Sequence, residues 1–292
     1  MAFESPEDFL RYVLRAVAPY REDLVLVGGF AVWLYRFHPR AAAIELIPLL
    51  TFDVDFAAPE RLHVAAGRNL SDLIAAAGLD QHLLGGHVPP VAKFVPRNVG
   101  KPVEAGAGEQ YCMEFLTPLV GSATNRRGEE VGTKVIQPGI TAQRLRFLDL
   151  LLADPWRVPV AAIPGMDGDP EGVPYVKVPH PGLMIVQKVL IFEERRRHGG
   201  WAKDMAYIYE VLGIFRHEIP RLAQEVRAAM ATNNTWDQWL ERFRRMSQEL
   251  FGTPNAPGVT GACEVLARSA AGGDCPTHAM VHAGVQEFLR EL

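Results

Sequence analysis

Residues 24–36 read LVLVGGFAVWLYR, and after an interval residues 51–56 read TFDVDF. Leu24 to Val27 is an apolar run of strand length, and it stops at Gly28-Gly29, where the absence of a Cβ lets backbone N–H groups come close to a ligand. Phe30 to Arg36 continues without a breaker, so the pattern predicts a helix whose unpaired donors and positive dipole end lie at the glycine pair, as a phosphate requires. TFDVDF predicts a second strand. Asp53 and Asp55 stand two residues apart on it and share one face, whereas Phe52, Val54 and Phe56 point to the other. Two carboxylates on one face suit a hard cation such as Mg²⁺, which takes oxygen ligands and is commonly held by one or two carboxylates together with substrate phosphates. An isolated D-x-D also fits a solvated strand face, so the order of the elements carries more than either motif.

The rest of the chain limits the setting. With 292 residues there is enough length for a substantial core in one large domain or two. A hydrophobic content of 48% and a net charge of −4 describe an ordinary soluble protein without a global cationic field to gather nucleic acid. Cys112, Cys263 and Cys275 are too few and too scattered for a disulfide scaffold, which points to a reducing cytoplasm. The opening MAFESPEDFL lacks a signal peptide's basic start and apolar centre, and no apolar run is long enough to span a bilayer, so no membrane partner is expected.

Ser5-Pro6-Glu7-Asp8 has the composition of a helix start, and Phe9, Leu10, Val13, Leu14 and Val17 recur at helical spacing after it. The stretch between Arg36 and Thr51 is expected to hold a small extra helix or part of a substrate mouth. A further helix is expected over 70–77, then strands at 92–95 and 111–116 separated by a glycine-rich loop. In the second of these strands Cys112 and Glu114 share a face, which makes Glu114 the candidate third acid; a plain exposed strand residue is the other reading. Asp167, Asp169 and Glu171 lack the later ligands of a calcium loop and read as a solvated turn. Two strands are expected around that turn, at 158–163 and 173–178. From residue 180 onward the texture is helical, with helices over 181–197, 202–212, 216–230 and 235–250, so two domains are expected, 1–178 and 179–292. Cys275, His278 and His282, with Cys263 upstream, have zinc-ligand types but not the usual paired cysteines, and read as an ordinary helix with surface histidines. Trp201, Trp236 and Trp239 are expected to pack in a core rather than stack bases.

Taken in order, Gly28-Gly29, Thr51 to Asp55, Phe115 to Pro118, Val178 to Pro181, Lys188, Arg195 and Lys203-Asp204 resemble a bacterial branch of the nucleotidyltransferase superfamily of the polymerase-beta type. The resemblance runs from Leu24 to Leu212. It implies an α/β fold of the α+β kind, a nucleotidyltransferase-like mixed sheet followed by a helical domain. It implies Mg²⁺ held by Asp53, Asp55 and Glu114, which are also the expected catalytic residues. Gly28, Gly29, Lys188, Arg195 and Lys203 are the nucleotide-binding residues it implies, with an NTP, ATP among the candidates, as substrate. The helical half is mildly basic, which is compatible with a nucleic-acid acceptor. Relatives in the wider superfamily include toxin-like enzymes that modify RNA or protein, so the acceptor could be RNA, protein or a small molecule. A non-catalytic, antitoxin-like nucleotide- or partner-binding module on the same fold is the rival expectation.

Overall fold

The computed structural model describes residues 3–49, 51–65, 67–84, 89–97, 111–122, 124, 131–166, 173–270 and 275–292. The chain divides into two compact units, Met1–Ala31 with Leu50–Pro179, and Val32–Leu49 with His180–Leu292. The division is discontinuous rather than the single cut near 178 expected from texture, because Val32–Leu49 groups with the later helices. Asp167, Asp169 and Glu171, and nearly all of the glycine-rich loop before Tyr111, lie outside the described residues.

The first unit opens with helix α1, Pro6–Ala16. The Ser5 hydroxyl accepts from the Asp8 N–H at 3.2 Å, Pro6 stands in the first turn, and Glu7 and Asp8 face the positive dipole end. Its buried face, Phe9, Leu10, Val13 and Leu14, joins an aromatic cluster in which Phe9 and Phe52 lie 5.0 and 5.3 Å, centroid to centroid, from Tyr111. Strand β1, Val25–Val27, leads into helix α2, Gly28–Tyr35, followed by β2, Asp53–Ala57, and helix α3, Leu70–Ala76. Then come β3, Leu79–Leu84, β4, Val91–Pro96, β5, Cys112–Pro118, β6, Thr133–Gln137, and β7, Ile140–Leu145. A short helix α4, Asp149–Leu152, precedes the two-stranded ladder of β8, Trp156–Pro159, and β9, Tyr175–Val178.

The main sheet has the order β1-β2-β5-β4-β3, with β7 also on β5 and β6 on β7. It is mixed: β2 and β7 run parallel to β5, and the other pairs are antiparallel. Strand β3 and the hairpin β6–β7 were not expected from the sequence. The hairpin turns at Pro138-Gly139, with Gly139 at φ +79°, so a proline–glycine pair between apolar runs was its legible signal. Beside it the buried Gln137 side chain accepts from the Leu70 N–H at 2.7 Å and donates to Leu62 O at 3.3 Å, which fixes the start of α3 to the sheet.

The second unit is helical. Its elements are α5, Pro181–Leu190, α6, Phe192–His198, α7, Trp201–Ile214, α8, Ile219–Met230, α9, Asn234–Phe251, α10, Pro257–Ser269, and α11, His278–Glu291. The helix expected over 181–197 is two, broken at Ile191. Val32–Leu49 is fastened to these helices by ion pairs. Arg36 meets the buried Glu210 at 2.6 Å and also donates to Leu46 O, while Arg40 Nε donates to Glu218 at 2.7 Å. Beyond Tyr35 the stretch forms turns and extended chain rather than a small extra helix, one of the two alternatives expected there, and its apolar residues Ile44 and Leu49 lie against α7 and in the core. Trp201 packs edge-on against Phe192 and Trp236 stacks on Trp239, but all three are half-buried rather than enclosed in the core expected for them. Among the described residues no helix is long and apolar enough to cross a membrane.

Candidate active site

Across β2, β5, β4 and β3 one face of the main sheet carries a row of titratable residues. In β2 the even positions Val54 and Phe56 are buried, while Asp53 is exposed and Asp55 half-buried on the opposite face. Asp55 pairs in register with Glu114 of β5, Glu114 with Lys93 of β4, and Lys93 with His82 of β3. Residues directly opposed on neighbouring strands share a face, so these side chains form a transverse row, with Asp53 and Cys112 opposed one repeat along. Neither aspartate is turned into the apolar interior.

Each acid of the row has a distinct neighbour. Gly28 adopts φ +70°, and a Cβ built on it would lie 2.6 Å from Asp55 Oδ2, so the glycine turn and the Asp55 carboxylate are in direct contact. The Cys112 thiol donates to Asp53 Oδ1 at 2.9 Å. Lys93 Nζ lies 3.1 Å from Glu114 Oε1 and 3.9 Å from Cys112 Sγ. Burial, then the charge of Asp53, pushes the Cys112 thiol well above its ordinary range, so it keeps its proton. Burial works against the Lys93 ammonium, yet Glu114, with Cys112 and Asp53 beyond it, holds it above its ordinary value. Lys93 and the Cys112–Asp53 contact were missed by sequence reasoning. The signal for Lys93 was a single charge inside the apolar run VAKFV, which a buried strand keeps only where a partner offsets it.

Gly28 thus lies against Asp55 and Asp55 stands opposite Glu114 on the neighbouring strand, with Gly29 following Gly28 in the first turn of α2. Lys188, Arg195 and Lys203 lie in the helical unit. Lys188 Nζ contacts Asp204 Oδ1 at 2.6 Å and Arg195 Nε contacts Oδ2 at 2.9 Å, with Asp204 itself buried. The ammonium groups of Lys188 and Lys203 each lie 5.7 Å from the centroid of the Tyr207 ring. A Cβ at Gly200 would overlap the Arg195 guanidinium, so the glycine turn at φ +83° makes room for that side chain.

Among the described residues no group of three His, Cys, Asp or Glu side chains converges to hold a metal ion, and this covers both the acidic row and Cys263, Cys275, His278 and His282. The fit to Mg²⁺ therefore rests on Asp53 and Asp55, two hard oxygen donors on one face with a glycine turn touching one of them. That donor set is one a magnesium ion accepts when substrate phosphates and water complete its shell.

A mixed sheet whose acidic strand abuts a glycine turn, followed by a helical region, defines an α/β protein of the nucleotidyltransferase-like kind. The family model described as Nucleotidyltransferase matches residues 9–231, from within α1 to the end of α8. The chain belongs to this nucleotidyltransferase family, and general nucleotidyl transfer with a nucleotide substrate comes with that membership. No curated protein and no solved structure matches the chain.

Proposed function

We propose that the protein transfers a nucleoside monophosphate from an NTP to an acceptor hydroxyl, releasing pyrophosphate, with Mg²⁺ as its metal. The acceptor oxygen attacks the α-phosphorus, the α–β phosphoanhydride bond breaks, and the hydroxyl proton passes to a carboxylate. Asp53 and Asp55 would hold the ion, which when bound neutralises phosphate charge and polarises the α-phosphoryl group. Glu114 takes the proton or contributes a third oxygen. Gly28 and Gly29 offer backbone N–H groups to the phosphates, and Lys188, Arg195 and Lys203 have the charge to offset the triphosphate. The observation that carries this reading is the register that sets Asp55 beside Glu114 while Gly28 touches the Asp55 carboxylate.

The acceptor is RNA, a protein or a small molecule, and a toxin-like role belongs to the first two. The scattered free cysteines, two of them buried, support a cytoplasmic setting. A radiolabelled NTP screen against a whole-cell extract tests the proposal without presuming the acceptor. Label should enter a product with wild-type protein and not with Asp53→Asn, whose melting temperature should stay close to that of wild type. Equal labelling by a purified Asp53→Asn protein would defeat it.

One observation favours a second reading, an antitoxin-like or nucleotide-sensing module without turnover: Glu114, the proposed proton acceptor, is already paired with Lys93. Calorimetry with ATP, CTP, GTP and UTP separates the two. Metal-dependent binding with no pyrophosphate from any acceptor in the extract is the outcome this second reading expects.

A further inference from the structure

The reaction above gives no part to Lys93, the basic member of the acidic row. Its backbone is fixed on both sides, by β5 through Glu114 and by β3 through His82, so the ammonium cannot leave the row without a change of rotamer. It lies 3.1 Å from Glu114 Oε1 and 3.9 Å from the thiol that donates to Asp53, so it touches one acid directly and reaches a second through Cys112. The Glu114 side chain is 14% exposed and that of Lys93 30%, so water screens this pair only in part. Asp55 lies on the far side of Glu114, against Gly28. A cation is thus already resident among the acids, and a divalent ion entering them must share the row with it or displace it from Glu114.

We propose that Lys93 is a built-in counter-ion that sets the cation threshold of the site: by neutralising Glu114 beside Asp53 and Asp55 it weakens the hold on a divalent ion, which must be abundant or arrive with a nucleotide's phosphates before the site is loaded. The inference rests on the reading of Asp53 and Asp55 as the ion-holding pair. It gives the nucleotide a second task. Phosphate oxygens supply negative charge that the row, with its own ammonium, lacks, so metal and nucleotide bind cooperatively rather than in sequence.

Mn²⁺ titration of the full-length protein, followed by the paramagnetic resonance of the free ion, tests this without reference to turnover. Lys93→Gln should bind Mn²⁺ about tenfold or more tightly than wild type, since a unit positive charge is removed from the row of acids. Lys93→Arg keeps the charge and should stay within about twofold of wild type on the same Coulombic argument. Glu114→Gln strands the ammonium beside the aspartates and should bind more weakly than wild type, and Lys93→Gln with Glu114→Gln should recover at least wild-type affinity. The double variant leaves neither partner of the ion pair unpaired, so the test stands if Lys93→Gln alone fails to fold. Adding a nonhydrolysable NTP analogue should tighten Mn²⁺ binding to wild type more than to Lys93→Gln. If Lys93→Gln, or the double variant relative to Glu114→Gln, binds no more tightly while Asp53→Asn abolishes binding, the role of Lys93 is overturned and the aspartate site stands. If Asp53→Asn binds Mn²⁺ as well as wild type, the aspartate reading is overturned and this inference with it.

Discussion

Gly28 is held in the left-handed region with its α-carbon against Asp55, so any side chain there meets both a backbone penalty and a carboxylate. The conformation costs an alanine about 1–2 kcal/mol, and relieving the contact must swing the Asp55 carboxylate away from the turn. Gly28→Ala should therefore lower stability by about 1–3 kcal/mol and lower nucleotide transfer by about a hundredfold, the effect expected of a misplaced reacting group. Gly67 is the control: it has the same φ of +70° with nothing near its absent Cβ, so Gly67→Ala should show the strain without the loss of transfer. Urea melts and label incorporation on both proteins check this; transfer within about threefold of wild type in Gly28→Ala would count against the contact. At this scale the Asp53 and Asp55 pair and the Gly28 turn were each legible as local patterns, a spacing of two on a strand and a glycine pair at a strand's end, whereas their contact depends on the β1–β2 register. Lys93 was not, because its relation to Glu114 exists only through the β4–β5 register, which no local spacing encodes.

At the scale of elements, α5, α6 and α7 converge on the single carboxylate of Asp204, through Lys188 from the first and Arg195 from the second. Lys188 is 13% exposed and Asp204 3%, so removing the acid leaves an ammonium with little access to water. Asp204→Ala should cost about 3 kcal/mol in denaturant unfolding, and Lys188→Met in the same chain should restore part of it. A loss below about 1 kcal/mol would mean the three helices do not depend on this carboxylate. The helices themselves were legible from their apolar spacing, down to the Ser5 cap of α1. Strand β3 was not: at the sheet edge it exposes Leu83 and Leu84 and half-buries Asp80 and His82, so its apolar pattern does not alternate with a buried face. The break at Ile191 was also silent, since Leu190-Ile191-Phe192 carries no helix-breaking residue.

Across the whole molecule, the clearest acid sensitivity lies in the stretch that joins the helical unit from a distance. Burial first, and then the charge of Arg40, lower the His38 imidazole to about 4, and its Nδ1 accepts from the Arg40 N–H at 3.2 Å, which requires that nitrogen to be unprotonated. The unfolded chain binds this proton near pH 6.5 and the folded chain only near pH 4, so in that window stability falls as the pH falls. The loss should approach about 1.4 kcal/mol per pH unit at most, and no more than about 3 kcal/mol in all. Melting curves between pH 7 and 4 should show it, and His38→Gln should flatten the dependence; an unchanged slope in that variant would assign the sensitivity elsewhere.

The discontinuity of the helical unit bears on how the protein is made. Val32–Leu49 leaves the ribosome long before His180–Leu292, and at about 5–20 residues per second the gap is on the order of ten seconds. During that time Leu34 and Tyr35, which end with no surface exposed, and Arg36 and Arg40, which end in ion pairs, have none of their final neighbours from the helical unit's later segment. A nascent chain stalled between residues 60 and 170 should therefore offer this stretch to chaperones and proteases, and release should come only with the synthesis of α7 and α8.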